Sequence, residues 1–174
     1  MADAFRVRLW AVLGEGTTGK STVIGGLISQ TGRGPGGPRH ILLRGGGTLE
    51  LNARRQSLQE AKRSPEKVVR ETLELARKLQ RRKGISIGYL NLLLAIRTDS
   101  INGLPRASDY LSHFVRSGWS LESLIVLDYL ERRDALYFDF GAPLYPLVNA
   151  SKLARDRSQH EMLVGRARNH FGWA

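Results

Sequence analysis

Between Phe5 and Leu13 the chain reads FRVRLWAVL, alternating at first and then continuously apolar, as a strand entering a buried sheet does. The run ends at Gly14. From Lys20 the period changes, and Val23, Ile24, Leu27 and Ile28 recur at helical spacing. The pattern predicts a strand, a glycine loop and a helix. Gly25 and Gly26 weaken such a helix by ~1 kcal/mol each relative to alanine, so their expected use is close packing on the sheet.

Thr31 to Arg39 holds too many glycines and prolines for a regular element and is expected to be a flexible loop. His40 to Arg44 fits a second strand, and Gly45 to Gly47 fits either a turn or a close backbone approach. Leu51 to Arg63 is compatible with a helix. Ser64-Pro65-Glu66 opens another with a capping serine, proline at the first position and an acid in the first turn. In that helix Val69, Leu73, Ala76 and Leu79 form the expected apolar stripe, and Gly84 ends it. Tyr89 to Ile96 predicts a third strand, and Pro105 to Ser117 a helix with Tyr110, Leu111, Phe114 and Val115 inward. Leu124 to Leu127, Ala135 to Phe140 and Leu144 to Val148 follow as further strands, and Lys152 to His170 as a last helix. Strands alternating with helices in this way argue for an α/β fold of three layers, a mostly parallel central sheet flanked by helices.

The 174 residues suit one domain, 1–174. Hydrophobic residues at 41% and charged residues at 25% are ordinary for a globular chain. Without cysteine, disulfides, thiolate catalysis and cysteine-ligated metals are excluded. No apolar run reaches the ~20 residues of a membrane-spanning helix, and the N-terminus lacks the order of a secretory signal, so a cytoplasmic location is expected. The net charge of +11 is concentrated: residues 33–83 hold 14 basic and 5 acidic side chains. Such a basic segment suits an anionic partner, nucleic acid or an acidic protein surface, and equally an uncommitted solvated surface.

The candidate chemistry sits in the first loop. Gly14-Glu15-Gly16-Thr17-Thr18-Gly19-Lys20-Ser21 satisfies G-x-x-x-x-G-K-[ST] and lies where the mechanism needs it, between a buried strand and a helix start. Gly14, Gly16 and Gly19 let backbone N–H groups turn toward a phosphate, and the helix adds its positive end. Thr17 and Thr18 line the loop. Over residues 5–30 the chain therefore resembles the P-loop NTPase superfamily at its Walker A motif. The resemblance implies a P-loop NTPase-like domain in which Lys20 reaches the β- and γ-phosphates of ATP, with GTP not excluded. It also implies that the Ser21 hydroxyl ligates Mg2+, with Thr22 beside it. Glu15 stands where the deviant Walker A of partitioning ATPases carries lysine, so that branch is unsupported.

The same resemblance asks for a carboxylate beyond a neighbouring strand to fix the magnesium. Asp128 closes the apolar run LIVLD and looks like a Walker B acid; Asp99, two residues beyond the third strand, competes with it because that strand often lies beside the P-loop strand. Asp139 is a weaker third. Thr98 and Ser100 are candidate γ-phosphate sensors, and Arg155, Arg157, Arg166 and Arg168 candidate lid cations; turns and an exposed helix face explain them more simply. Asn149-Ala150-Ser151 occupies the place of a base-reading loop, yet the N-K-x-D element that reads guanine is absent. The histidines show no metal spacing, and Trp10 reads as core. The leading expectation is Mg-dependent binding and hydrolysis of a nucleoside triphosphate coupled to an anionic or protein partner. The rivals are a small-molecule or nucleoside kinase, with Gly45 to Gly47 bordering its acceptor, and a non-enzymatic nucleotide- or DNA-binding accessory factor.

Overall fold

The computed structural model describes residues 5–29, 38–84 and 87–174. Residues 31–37 of the expected flexible loop lie outside them. In chain order the elements are β1 (Arg6–Gly14), α1 (Lys20–Ser29), β2 (Arg39–Leu42), β3 (Thr48–Ser57), α2 (Pro65–Lys83), β4 (Tyr89–Arg97), α3 (Ala107–Arg116), β5 (Ser120–Leu127), α4 (Glu131–Asp134), a 3-10 turn (Ala135–Phe140), β6 (Leu144–Leu147), α5 (Ala150–Arg155) and α6 (Arg157–Phe171). The six strands form one sheet in the order β2-β3-β4-β1-β5-β6, parallel throughout except for β2 at the edge. No helix among the described residues is long and apolar enough to cross a membrane.

The two-residue period of β1 sorts its side chains between two cores. Val7, Leu9, Ala11 and Leu13 face the layer holding α2 and α3, where Val68, Ala76, Tyr110, Leu111 and Phe114 meet them. Trp10 and Val12 face α1 and α6 with Val23, Ile24, Leu27, Leu163 and Ala167, so Trp10 is core as expected. Burial of β1 and β4 on both faces explains why both read as nearly unbroken apolar runs.

Several expectations need correction. Leu51 to Arg63 is not helical: residues to Ser57 continue β3, and a turn follows. Its polar stretch is rich in helix formers, but parallel pairing with β4 overrides that preference. Gly45 to Gly47 form the β2–β3 turn, with Gly46 and Gly47 at φ of 88° and 86°, and a Cβ on any of the three would touch nothing within 4 Å. The turn needs their left-handed backbone; no close approach is made there. Ala135 to Phe140 is a 3-10 turn rather than a strand, its aromatics spaced to place Tyr137 inward while Phe138 stays exposed. The α2 stripe runs through Val68, Thr72, Ala76 and Leu79, leaving Leu73 exposed, and Val115 of α3 is likewise outside. The last helix is two, broken at Asp156, whose carboxylate caps α6 through the Ser158 N–H.

Gly25 admits a side chain of the sheet, Arg55 of β3, as expected, whereas Gly26 admits α6. A Cβ on Gly26 would lie 2.3 Å from Val164 Cγ2 of α6, and one on Gly25 would lie 2.8 Å from the Arg55 guanidinium. Gly26→Ala is expected to destabilise by about 1–2 kcal/mol, overpacking outweighing the better helix propensity. Gly165→Ala in α6, where a Cβ meets nothing within 4 Å, is expected to stabilise by up to ~1 kcal/mol. Urea midpoints of the two variants check both signs.

Candidate functional site

In an open parallel sheet, ligands bind beyond the carboxyl ends of the strands where the chain order reverses. Here that place is the end of β1: β4 lies on one side of it, and α3 carries the chain across to β5 on the other. The loop Gly14–Ser21 leaves β1 at this point. Its backbone is left-handed at Thr17 (φ 61°) and Gly19 (φ 94°). Space also demands its glycines. A Cβ on Gly14 would be 2.4 Å from Thr18 Oγ1, and one on Gly19 would be 2.6 Å from Ala154 Cβ of α5. The Thr18 hydroxyl donates to the Glu15 carbonyl at 2.9 Å, the Lys20 ammonium donates to the same carbonyl, and the Val23 N–H donates to the Gly19 carbonyl at 2.9 Å. Ser21 is exposed at the start of α1, with Thr22 partly buried beside it.

Lys20 is only 5% exposed, and among the described residues it has no carboxylate within ion-pair distance. Burial pulls its ammonium down to about 8, against Glu60, Asp99 and Glu15, which favour the charged form; Arg97 adds to the lowering. A desolvated cation at the start of a helix favours an anionic neighbour.

Two arginines that the sequence did not single out stand at the loop. On the β4 side, Gly14 is in register with Arg97, and the Thr98 N–H donates to the Gly14 carbonyl at 3.2 Å. The Arg97 guanidinium forks onto Asp99, Nε to Oδ1 at 3.0 Å and Nη2 to Oδ2 at 2.7 Å, and Nη1 reaches Glu60 at 3.3 Å. This fork holds the Asp99 carboxyl below the usual carboxylate range. Buried Gln59 clasps the backbone of Arg97, accepting its N–H at 3.0 Å and donating to its carbonyl at 2.9 Å. Thr98 is buried with its hydroxyl unpartnered.

On the β5 side, Asp128 is left-handed (φ 52°), and its Oδ1 accepts the Ser151 N–H at 3.0 Å, capping α5. Its carbonyl accepts from Arg133 Nη2 at 3.0 Å. Arg133 binds the fully buried Asp134 through Nε and Nη2, both at 2.7 Å, and reaches Glu15 of the loop at 2.6 Å. So Glu15 is tied by Arg133 of α4, beyond β5, and Gly16 is covered by Arg97 of β4. The Asp99 carboxylate favours the charged form of Lys20. Asp139 lies exposed in the 3-10 turn.

Of the lid candidates, Arg168 donates to the Gly26 and Leu27 carbonyls at 3.3 Å each, at the far end of α1 from the loop. Arg155, Arg157 and Arg166 are exposed. Among the described residues no group of three or more histidine or acidic side chains is placed to hold a metal ion.

Compared with known proteins, the chain matches no family model and no curated relative.

Proposed function

We propose that the loop Gly14–Ser21 binds the phosphates of a nucleoside triphosphate, ATP by default and GTP not excluded, and that the protein hydrolyses it with Mg2+. The observation that carries this reading is buried Lys20, a cation without a carboxylate partner among the described residues, at the junction of the glycine loop and α1. In this reading Lys20 neutralises the β- and γ-oxygens, and the loop amides hold them. Ser21 would hold Mg2+ directly. Asp99, whose charge favours the charged form of Lys20, would fix the metal's waters once its fork with Arg97 opens, while Asp128 caps α5. Bound there, the metal would offset charge on the phosphate oxygens. In the reaction, an oxygen of water bonds to the γ-phosphorus, the bond from that phosphorus to the β–γ bridging oxygen breaks, and the water's proton passes to solvent. Equilibrium binding of ATP, GTP, ADP and GDP, followed by phosphate release, tests the reading. Triphosphate binding with slow turnover is expected; no binding of any of the four contradicts it.

Coupling to an anionic partner has its own support. Arg39, Arg54, Arg55, Lys78 and Arg82 line a groove of about 490 Å³ between β3, α1 and α2. Of these, Arg54 pairs with Glu71 at 3.0 Å; the other four have no carboxylate within ion-pair distance among the described residues. Among the described residues no aromatic ring lines the groove, so recognition there would be of backbone phosphates and not of stacked bases. With a single-stranded oligonucleotide as probe, the double variant Arg55→Glu/Arg82→Glu is expected to weaken binding at least ~10-fold and to flatten the salt dependence by about 1–2 units of slope. Equal binding and equal slope would remove the groove from the account.

A further inference from the structure

We propose that Arg97 is itself a phosphate-binding residue of the loop, and that Asp99 and Glu60 are its resident counter-ions, which an incoming triphosphate displaces. This inference rests on the loop holding phosphates. It goes beyond that reading in assigning the arginine after β4 to the ligand and in giving Asp99 an antagonistic effect.

Three observations converge. Position is the first: strand register sets Arg97 beside Gly14, and its guanidinium lies so close over Gly16 that a Cβ there would be 2.8 Å from Nη2 and 2.9 Å from Nη1. Gly16 is thus the residue that admits the arginine to the loop's backbone. Freedom is the second: Gln59 pins the main chain of Arg97 on both sides, so the guanidinium moves by side-chain rotation about a fixed base. Charge is the third. Arg97, with its side chain 14% exposed, and Lys20 form a pair of partly desolvated cations that repel one another, and Glu60 and Asp99 are the carboxylates acting on both. Glu15, the remaining acid nearby, is already held by Arg133.

A triphosphate brings about four negative charges to the place where Lys20 and Arg97 converge. Two carboxylates and a phosphate cannot all share those two cations without strong repulsion. The planar fork that takes the Asp99 oxygens in pairs matches phosphate oxygens equally well, so one bidentate contact exchanges for another with little loss of geometry. Lysine cannot make that exchange in the same form. The exchange also frees Asp99 at the moment a magnesium shell would need it, so the sign of its effect depends on the metal.

The test uses the full chain, with circular dichroism confirming that each variant is folded. ATP, ADP, GTP, GDP and inorganic tripolyphosphate are titrated into wild type, Arg97→Ala, Arg97→Lys, Asp99→Asn and the Arg97→Ala/Asp99→Asn double variant, with EDTA and separately with Mg2+. Arg97→Ala is expected to weaken triphosphate binding about 10–100-fold and diphosphate binding less, with Arg97→Lys in between. In EDTA, Asp99→Asn is expected to tighten triphosphate binding about 3–10-fold, and the gain is expected to vanish in the double variant. With Mg2+ the same substitution is expected to weaken binding. Wild-type affinity in a folded Arg97→Ala, or weaker binding by Asp99→Asn in EDTA, overturns the role of Arg97 and leaves the loop reading standing. A wild-type protein that binds none of the five probes overturns the loop reading itself.

Discussion

Lys20→Met is expected to give a protein that is more stable than wild type at pH 7 and nearly unable to bind a nucleotide. Both effects follow from the same burial. The ammonium is held at about 8 in the folded protein, below its ordinary 10.5, chiefly because it is desolvated. Between these values the unfolded chain carries more protons than the folded one, so stability rises with pH through that window; below about 8 the cost of the buried cation is fully present. Methionine keeps the stem and removes the charge, and a gain of about 1–3 kcal/mol at pH 7 is expected, shrinking toward pH 10. Loss of the cation from the phosphate site is expected to cost at least ~100-fold in triphosphate affinity. Chemical denaturation at pH 7 and pH 10, with nucleotide titration alongside, reads both. A destabilised Lys20→Met, or one that binds like wild type, would show that the lysine is a packing residue. In wild type, triphosphate affinity is expected to fall above pH 8 as the free site loses its proton.

Asp134→Ala is expected to be the most damaging substitution outside the two cores, with a loss of about 3–5 kcal/mol. The carboxylate is fully buried and accepts three hydrogen bonds, two from Arg133 and one from the Leu130 N–H at 2.9 Å. Its removal leaves the Leu130 N–H without its partner and takes from Arg133 its bidentate one, with Glu15 and the Asp128 carbonyl remaining. Asp134→Asn keeps an acceptor for one of them and is expected to lose about half as much. Because Arg133 also holds Glu15 and the Asp128 carbonyl, the damage is expected to reach the loop: in a folded Asp134→Asn protein, amide exchange at Glu15 and Gly16 is expected to quicken before exchange in β1 does. A urea midpoint for Asp134→Ala within 1 kcal/mol of wild type would remove the Arg133–Asp134 pair from the structural account.

The strand, loop and helix over residues 6–29 were legible in the sequence because all the signals there are local. Alternation gives way to a buried run, glycines mark the turn, and apolar spacing changes to helical. The capped start and the glycine stop of α2 were legible for the same reason: Ser64 caps through the Lys67 N–H, and Gly84 is left-handed. β3 was not, since a polar stretch such as NARRQ becomes a strand only through the partner it finds in β4. The glycine loop was visible as a motif, but its surroundings were not. Arg97 reads as the first polar residue after an apolar run, and nothing in its neighbours announces that register will set it against Gly14 with its guanidinium over Gly16. Gln59 and Asp134, both fully buried, looked like ordinary polar residues on either side of that site. Asp128 had the better local pattern of the two acids, and its left-handed backbone and capping bond to α5 are tertiary facts that the pattern does not encode.

Under the proposed function, phosphates lie in the bend between β1 and α1, and amide chemical shifts of the isotopically labelled protein, followed as Mg2+ and ATP or GTP are added, decide whether they do. The largest displacements are expected at Gly16, Gly19, Lys20 and Ser21, with Arg97 following and the β2–β3 turn unmoved. Saturable binding that leaves Gly14 to Thr22 in place and displaces another surface would contradict that placement.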